Sequence, residues 1–575
     1  MELSSSLTDE ELVEKFKDFN TKYSNPLTTM TLESDEQTKL WSLLMERLAD
    51  SNKNQFHRVL LNTLKILSRN QVLVEKCLKK ETLELLLSRA GIDANEHDNS
   101  IRNDTKHRNI EVILESLCCL SNIYLHCRTL EVTRSLEEKI ISGIIGQSKR
   151  YRKVAMPLSV ISFDMRLLNI ITNPLKCRLY LDHDGIILLT EVLSICVDEA
   201  RERNLEEKKE AATNLASRSS SERTPGLVSL NEEEVTCMNN LMVAFSYCLH
   251  GADFEEKHLD EKSATSLIDV CRLLHLMFSY EKESLDLRMF MNRIAIQLLA
   301  VFPQGQLSSA LFPATNNEVM VDRKFEQTEH EGVSMNVPHE ILEYFVYTFK
   351  AFKHGKSSIG SLDENIGPAL KVLNYFASGH RHVRKYLRKI ILPPLSNLNQ
   401  RPEMESSVKG YLCSLFTCPE EGVSVMSANF LFILCKENRN RFVKHVGYGN
   451  AAGLLARRGL MGGGFSADAN QYSDDEDSDT EEYRENVDLV NPISGCVDPI
   501  APSPFVGMSE EQKEYEAMKL VNAIDRLQNL GMIKPAKLGA DGKPEPINHV
   551  TELVDDKDLK KDNVEPRQNS DSENR

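Results

Sequence analysis

Four polar side chains at helical spacing form the first surface that could do chemistry. They follow one another at intervals of four, three and four residues, which places them on one face of an α-helix: Arg58, Asn62, Lys65 and Arg69. Leucines at 60, 64 and 67 occupy another face of the same helix. Cationic and amide groups in such a row can bind the carboxylate and backbone groups of a peptide. An ordinary solvated helix face is the alternative.

A second stripe of the same kind comes one helical unit later. Its members also fall at helical spacing: Glu115, Cys119, Asn122 and His126. If successive units stack, both stripes line one concave groove, where they would hold an extended or helical peptide.

Two serines in the C-terminal part have the pattern of phosphoacceptors. Ser473 and Ser478 each have an acidic residue three positions later, Glu476 and Glu481, within a run rich in carboxylates. This pattern fits an acidophilic protein kinase, and phosphorylation would add to charge already present. Such runs also occur as unmodified spacers.

Residue patterns for covalent catalysis are absent from the sequence. It contains no phosphate-binding loop, zinc-protease helix, serine-hydrolase elbow or protein-kinase signature set. The glycines at 462–464 precede an acidic run and are interpreted as a linker, and the sequence at 380–382 as a basic turn rather than a metal site. We therefore predict no catalytic residue, cofactor or metal, although an enzyme with an unfamiliar motif remains an alternative.

The elements that must position these residues are predicted to be helices almost throughout. Apolar residues recur at intervals of three and four, and patterns of alternating polarity are scarce. Similar helices are predicted to end near residues 70, 128, 173, 251, 303, 381 and 440, and a Ser34–Gln37 capping box to open one helix. With insertions at about 200–232 and 304–338 removed, the longest spacings approach armadillo or HEAT units. We predict an all-α armadillo/HEAT-like solenoid over residues 1–464, with unrelated helical bundles as the alternative.

The last fifth of the chain differs in charge from the rest. Residues 465–575 contain 26 acidic and 12 basic residues, whereas the whole 575-residue chain contains 86 and 69. We predict a disordered acidic linker at 465–508, an amphipathic helix at 509–530 and a disordered end at 531–575. A capping box at Ser509 and Gln512 opens the helix, whose apolar stripe would dock on the solenoid or on a partner.

Composition also bears on the compartment and the class of partner. No stretch approaches about 18 uninterrupted apolar residues, and the N-terminus has neither a signal-peptide pattern nor a glycine for myristoylation. Thirteen cysteines, mostly within apolar helical patterns, fit reduced thiols. A net charge of −17 disfavours non-specific nucleic-acid binding. We expect a soluble, cytoplasmic, monomeric protein without a transmembrane segment.

Four segments of the sequence resemble the synembryn family. They are HRHVRKYLRKIILPPLSNLNQRPE at 380–403, GYGNAAGLLARRGLM at 447–461, QYSDDEDSDTEEY at 471–483 and GMSEEQKEYEAMKLVNAIDRL at 507–527. Synembryns are cytosolic chaperones and guanine-nucleotide exchange factors for heterotrimeric G-protein α subunits, with an armadillo/HEAT-like fold. The similarity extends from about residue 55 to residue 535.

This resemblance implies a role for each candidate surface. Lys65, Arg69 and Asn122 would hold the C-terminal helix of Gα in the concave groove. The tail helix would contact the Gα nucleotide domain through Met518, Val521 and Ile524. Ser473 and Ser478 would be the activating phosphorylation sites, and the cell cortex a site of recruitment.

Two binding functions that need no exchange activity are alternatives to this implied role. A scaffold or adaptor of the β-catenin type would use the same solenoid. An importin-α-like cargo adaptor reads peptides with ladders of Trp and Asn, which one tryptophan in 575 residues does not provide.

Overall fold

The structure is a computed structural model, in which two compact units, residues 1–497 and 498–575, are described separately. The described residues are 9–25, 28, 31–50, 56–92, 110–127, 130–172, 174–215, 228–250, 261–302, 305–315, 328–355, 361–393, 400–461, 490–491, 493–497, 507–531, 533, 536–538 and 544–546. Ser473 and Ser478 lie outside them.

The first unit is built from helices. Their bounds are α1 Asp9–Lys22, α2 Ser34–Ala49, α3 His57–Leu67, α4 Gln71–Cys77, α5 Lys80–Ala90, α6 Ile110–Cys127, α7 Glu131–Arg134, α8 Glu137–Ser148, α9 Tyr151–Val154, α10 Leu158–Ile171, α11 Pro174–Leu215, α12 Glu232–Leu249, α13 Glu261–Ser279, α14 Leu285–Val301, α15 Asn336–Lys353, α16 Leu362–Asn365, α17 Gly367–Gly379, α18 Arg381–Ile391, α19 Val408–Ser414, α20 Glu421–Leu434, α21 Arg439–Val446 and α22 Tyr448–Arg457. Short 3-10 helices lie at Gln306–Leu311, Pro402–Met404 and Leu415–Thr417.

Seven of these helices form one continuous row through the unit, here called the central row. Each packs on the next in chain order: α3, α6, α10, α12, α14, α17 and α20. Other helices pack beside them, such as α5 on α6 and α11 on α12. Helices that contact mainly their neighbours in sequence are characteristic of an α-solenoid, so the all-α repeat prediction is confirmed.

The core runs along the central row, because its apolar positions are enclosed on several sides. Leu64, Leu117, Leu168, Phe245 and Phe430 are among its buried side chains, and each is at most 1% exposed. Polar caps fix several helix starts; the Asn231 side chain, for example, accepts from Glu234 N at 2.9 Å. At α2 the capping box lies one residue earlier than predicted, at Glu33 and Glu36 instead of Ser34 and Gln37. The Glu33 N–H donates to the Glu36 carboxylate at 3.4 Å.

The two predicted insertions contain described secondary structure. Within the first insertion, helix α11 continues to Leu215. Arg203 of this helix pairs with Glu234 of α12 at 2.7 Å. Strands β1 (Ser229–Leu230) and β2 (Glu281–Lys282) then pair in parallel. The second contains the antiparallel pair β3 (Glu329–His330) and β4 (Val333–Ser334), and it ends inside α15.

Helix α6 is the one described helix with the length and composition of a membrane span. More than half of its residues are buried, since it packs between α3 and α10. A helix enclosed in a protein core meets the same length and composition criteria.

A hairpin corrects the prediction that the whole of 465–508 is disordered. Strands β5 (Val490–Asn491) and β6 (Cys496–Val497) pair, and Gly449 N donates to Ile493 O at 2.9 Å. Gly447, at φ 77°, permits this approach, because a Cβ there would lie 2.9 Å from the same oxygen. Residues 490–497 carry no charge, unlike the acidic run before them.

The second unit contains α23 (Glu510–Asn529) and an antiparallel pair, β7 (Ala536–Leu538) with β8 (Pro544–Pro546). The Ser509 hydroxyl accepts from Gln512 N at 3.3 Å, and Ser509 N donates to the Gln512 side chain at 3.2 Å. The capping box is therefore present as predicted. The strand pair corrects the prediction that all of 531–575 is disordered.

Candidate partner-binding face

Helices α3 and α6 bring the predicted stripe residues together at the start of the central row. The apolar side of α3 is enclosed, with Leu61 and Leu64 fully buried, so its polar side faces outward. Lys65 of α3 and Glu115 of α6 keep 25% and 18% of their side chains exposed. We call the surface formed by Arg58, Asn62, Lys65, Arg69, Glu115, Cys118, Asn122 and His126 the α3–α6 face.

Two ion pairs connect the helices across this face. Lys65 Nζ lies 2.6 Å from Glu115 Oε2, and a guanidinium nitrogen of Arg58 lies 2.7 Å from Glu111 Oε2. The Arg58 pair is more than half exposed, so water screens it. The Lys65 pair is less exposed and correspondingly stronger. An acidic ligand that binds Lys65 must therefore compete with Glu115.

Asn122 and Arg69 are each held by hydrogen bonds on one side. The Asn122 amide donates to Lys65 O at 3.2 Å and to Ser68 Oγ at 3.0 Å, so its carbonyl oxygen remains as an acceptor. The Arg69 guanidinium donates to Tyr23 O at 3.1 Å and to Ser24 O at 3.4 Å, and it has further N–H groups to offer. Lys65 and Asn122 are thus direct neighbours, whereas Arg69 is anchored towards α1.

Cys119 is not on this face, contrary to the predicted stripe. It is fully buried, and its Sγ donates to Leu61 O at 3.5 Å. Cys118 is the partly exposed thiol instead. It lies three residues after Glu115 and so shares its side of α6, whereas Cys119 is turned towards α3. Burial, and to a smaller extent the Glu115 charge, raise the pKa of Cys118 to about 11, so this thiol is protonated at neutral pH.

Asparagines continue the pattern along the central row, which the sequence reasoning missed. The Asn169 amide of α10 donates to Asn240 O of α12 at 2.8 Å, and the Asn240 amide donates back to Ser162 O at 3.2 Å. Asn374 of α17 donates to Met426 O of α20 at 2.9 Å. Asn122, Asn169 and Asn374 occupy matching places in the helix cores SNIY, LNII and LNYF, a repeated signal that the sequence carried.

The predicted tail residues are all on α23, which buries none of its side chains. Met518 is 69% exposed, while Val521 and Ile524 are half-buried. One turn apart on the helix, these three share a side. Leu520 and Leu527 are also exposed, at 63% and 40%.

No group of three or more His, Cys, Asp or Glu side chains among the described residues is placed to hold an ion. The prediction of a basic turn at 380–382 is wrong, because α18 begins at Arg381; within it, His382 lies 3.0 Å from the Glu331 carboxylate.

Comparison with known families decides the relationship of this chain. A model of the family described as "Guanine nucleotide exchange factor synembryn" matches residues 60–543. The chain belongs to the synembryn family. This match includes α23 and nearly all of the central row, so both candidate surfaces lie in the part that synembryns share, except Arg58, which precedes it.

Several full-length relatives agree with the synembryn assignment. The chain is 32% identical to "Chaperone Ric-8A" of Gallus gallus over 544 residues, which cover 94% of each chain. It is 31% identical to that of Danio rerio, with 92% of each covered, and 31% identical to that of Mus musculus, with 95% and 94% covered. A solved chain from a study of cadherin and β-catenin superposes with a TM-score of only 0.25 at 11% identity, over 81% of this chain and 96% of that one.

Proposed function

We propose that this protein is a chaperone and guanine-nucleotide exchange factor for the α subunits of heterotrimeric G proteins. It binds nascent or GDP-bound Gα, stabilises the nucleotide-free state, and promotes GDP release and GTP loading. The observation that carries the proposal is the synembryn match over residues 60–543, together with relatives named as chaperones. The chain acts by differential binding and forms no covalent bond to its partner.

The mechanism follows from thermodynamic linkage. A protein that binds nucleotide-free Gα more tightly than GDP-bound Gα must weaken GDP binding by the same factor. A shift from 99:1 to 1:99 needs about 5.5 kcal/mol of differential affinity. Two separate contacts on one chain can supply this, because the first raises the effective concentration of the second.

The α3–α6 face is proposed to hold the C-terminal helix of Gα. Arg69 supports this role because its guanidinium is oriented by Tyr23 O and Ser24 O and still has free donors for a carboxylate. The Asn122 carbonyl oxygen can accept from a peptide N–H. The ammonium group of Lys65 contributes a positive charge but lacks the two parallel N–H donors of an arginine. To bind the ligand, Lys65 must first break its ion pair with Glu115.

Helix α23 is proposed to hold the Gα nucleotide domain through Met518, Val521 and Ile524. Exposed and half-buried apolar side chains on one side of a capped helix suit an apolar groove. Phosphorylation of Ser473 and Ser478 by an acidophilic kinase is proposed to enhance exchange.

The decisive experiment measures GDP release from purified Gα. Labelled GDP is loaded on Gα, and its dissociation is followed with and without the full-length chain. We expect faster release with the chain, and a stable nucleotide-free complex when free nucleotide is removed. Binding without faster release would instead indicate a scaffold or adaptor, and no binding to Gα would overturn the proposed function.

A further inference from the structure

Arg166 of α10 presents a guanidinium at the surface of the central row that none of the proposed Gα contacts uses. The residue is exposed, and its guanidinium has no ion pair or hydrogen bond with any described residue. Its Cζ lies 5.9 Å from the centre of the Phe163 ring, one turn earlier on α10. This cation–π contact orients the guanidinium and leaves all of its N–H groups for a ligand.

Arg166 lies next to the α3–α6 face, because α10 packs directly on α6. The charges around Cys118, a member of that face, show this proximity. Burial and the charge of Glu115 raise the pKa of the Cys118 thiol. The charges of Lys65 on α3 and Arg166 on α10 lower this pKa. Because such effects weaken with distance, Arg166 and the Lys65–Glu115 pair are neighbours on one surface.

The cations of the α3–α6 face itself already have partners. Arg58 and Lys65 form ion pairs with carboxylates of α6, and the Arg69 guanidinium donates to two backbone oxygens. A ligand carboxylate can therefore bind Arg166 without breaking an ion pair. The parallel N–H groups of a guanidinium also match the two oxygens of a carboxylate, which an ammonium group cannot do. These properties favour an acidic ligand at Arg166.

We propose that Arg166 binds a carboxylate of the C-terminal helix of Gα and thereby adds α10 to the surface that holds this helix. The inference rests on the proposed function of the α3–α6 face. The carboxylate belongs to the chain terminus of Gα or to an acidic side chain of its last helix, and either one would accept two N–H bonds from the guanidinium. Arg166 then contributes to specificity, because a helix without a carboxylate at this point leaves the cation unpaired.

A peptide with the sequence of the Gα C-terminal helix tests the contact directly. It is titrated into the full-length chain and into Arg166→Ala, with Arg134→Ala as the matched control. Arg134 is an exposed arginine of α7 that has no ion pair with a described residue and lies outside the central row. We expect about tenfold weaker binding for Arg166→Ala at an unchanged melting temperature, and normal binding for Arg134→Ala.

Two altered peptides identify the carboxylate. One carries a C-terminal amide in place of the terminal carboxylate, and the other has its acidic side chains replaced by the corresponding amides. The peptide that lacks the bound carboxylate should bind the unaltered chain about tenfold more weakly, and Arg166→Ala should not weaken its binding further. If Arg166→Ala weakens the binding of all three peptides by the same factor, no carboxylate contacts Arg166 and the inference is overturned.

Failure of this inference and failure of the proposed function give different results. An unaltered chain that binds neither Gα nor the peptide would overturn both. An unaltered chain that binds Gα but not the peptide, or that binds both while Arg166→Ala binds the peptide equally well, would overturn only the role of Arg166. Arg166→Gln, which keeps a planar end group and removes the charge, decides the question if Arg166→Ala does not fold.

Discussion

Helices α3 and α23 are both amphipathic, yet they use their apolar sides in opposite ways. Seven of the eleven residues of α3 are buried, whereas none of the twenty residues of α23 is. The apolar side of α3 is already occupied by neighbouring helices, so its polar side is the exposed one. The apolar side chains of α23 are not buried, so that helix exposes apolar surface.

The ion pairs of the two helices also differ: α3 pairs with a neighbouring helix, whereas α23 pairs within itself. Lys65 of α3 pairs with Glu115 on another helix, while Lys513 and Lys519 of α23 pair with Glu510 and Glu516 on their own helix. A ligand at α3 must therefore replace an existing interhelical ion pair. A ligand at α23 gains by burying apolar surface and leaves the local pairs in place.

Val521→Asp is expected to have the largest effect on function. A charge in the apolar stripe of α23 would be buried without a partner in the Gα complex, so stimulated GDP release should fall about tenfold or more. The melting temperature of the first unit should not change. Truncation after Met461 should reduce release at least as much.

Asn522→Asp is the matched control for Val521→Asp. It adds the same charge at an exposed position next in sequence, on a different side of the helix, and should leave release near normal. Hydrogen exchange of 509–530 should be weakly protected in the free chain and strongly protected with Gα. Strong protection in both states would contradict the partner-binding role of α23.

Reversing the charges of the α3–α6 face is expected to have the next largest effect. Lys65→Glu with Arg69→Glu should weaken Gα binding about tenfold, because two cations that attract a carboxylate become repulsive. The melting temperature should fall by no more than a few degrees. Lys39→Glu with Lys80→Glu changes net charge equally on exposed surface elsewhere and should bind Gα normally. Unfolding of the first pair, or its normal binding, would assign Lys65 and Arg69 a structural or merely solvated role.

Acid is expected to destabilise the first unit through two buried histidines. Burial lowers the pKa of His275 to about 4, and burial with nearby cations such as Lys409 lowers that of His445 to about 3. Both groups have an ordinary pKa of 6.5 when unfolded, so the unfolded chain takes up protons first as the pH falls. The contribution of these two neutral histidines to the free energy of unfolding is therefore fully present above pH 6.5 and is lost as the pH falls towards 4.

The loss should approach about 1.4 kcal/mol per pH unit for each histidine, measured by urea unfolding at several pH values. His275→Gln should reduce this dependence. A flat stability profile between pH 7 and pH 5 would contradict the buried neutral state of both rings.

Glu115→Gln should strengthen Gα binding by about two- to threefold. Without the carboxylate, Lys65 no longer has a competing partner and is free to meet an acidic ligand. Titration of Gα into the variant measures the change. Weaker binding would mean that Glu115 itself contacts the partner or positions Lys65 for it.

Loss of phosphorylation is expected to have the smallest effect, about twofold. Ser473→Ala with Ser478→Ala should lower stimulated GDP release after treatment with an acidophilic kinase, because no phosphate can be added. Without kinase treatment the two proteins should be equal. Equal activity after treatment would leave the acidic run as an unregulated spacer.

Helix positions could be predicted closely from the sequence. The predicted ends near 70, 128 and 173 lie three, one and two residues beyond Leu67, Cys127 and Ile171, where the central-row helices stop. The Ser509 capping box opens α23 as predicted. These features depend on apolar period and on polar groups a few residues apart, which a sequence displays directly.

Side-chain register and long-range pairs could not be predicted in the same way. Cys118 and Cys119 are adjacent in an apolar helix, and only packing against α3 buries Cys119 and leaves Cys118 partly exposed. The hairpin at 490–497 depends on Gly447, more than 40 residues earlier.

The sequence by itself determined the all-α repeat, the change of charge before the tail and the amphipathic tail helix, because period and composition are local properties. Only the tertiary structure decided which cations are already paired, as Lys65 is with Glu115 some 50 residues away, and which apolar sides are already covered. Such pairings arise when helices distant in sequence pack together, so the chemistry left for a partner emerges only in the folded chain.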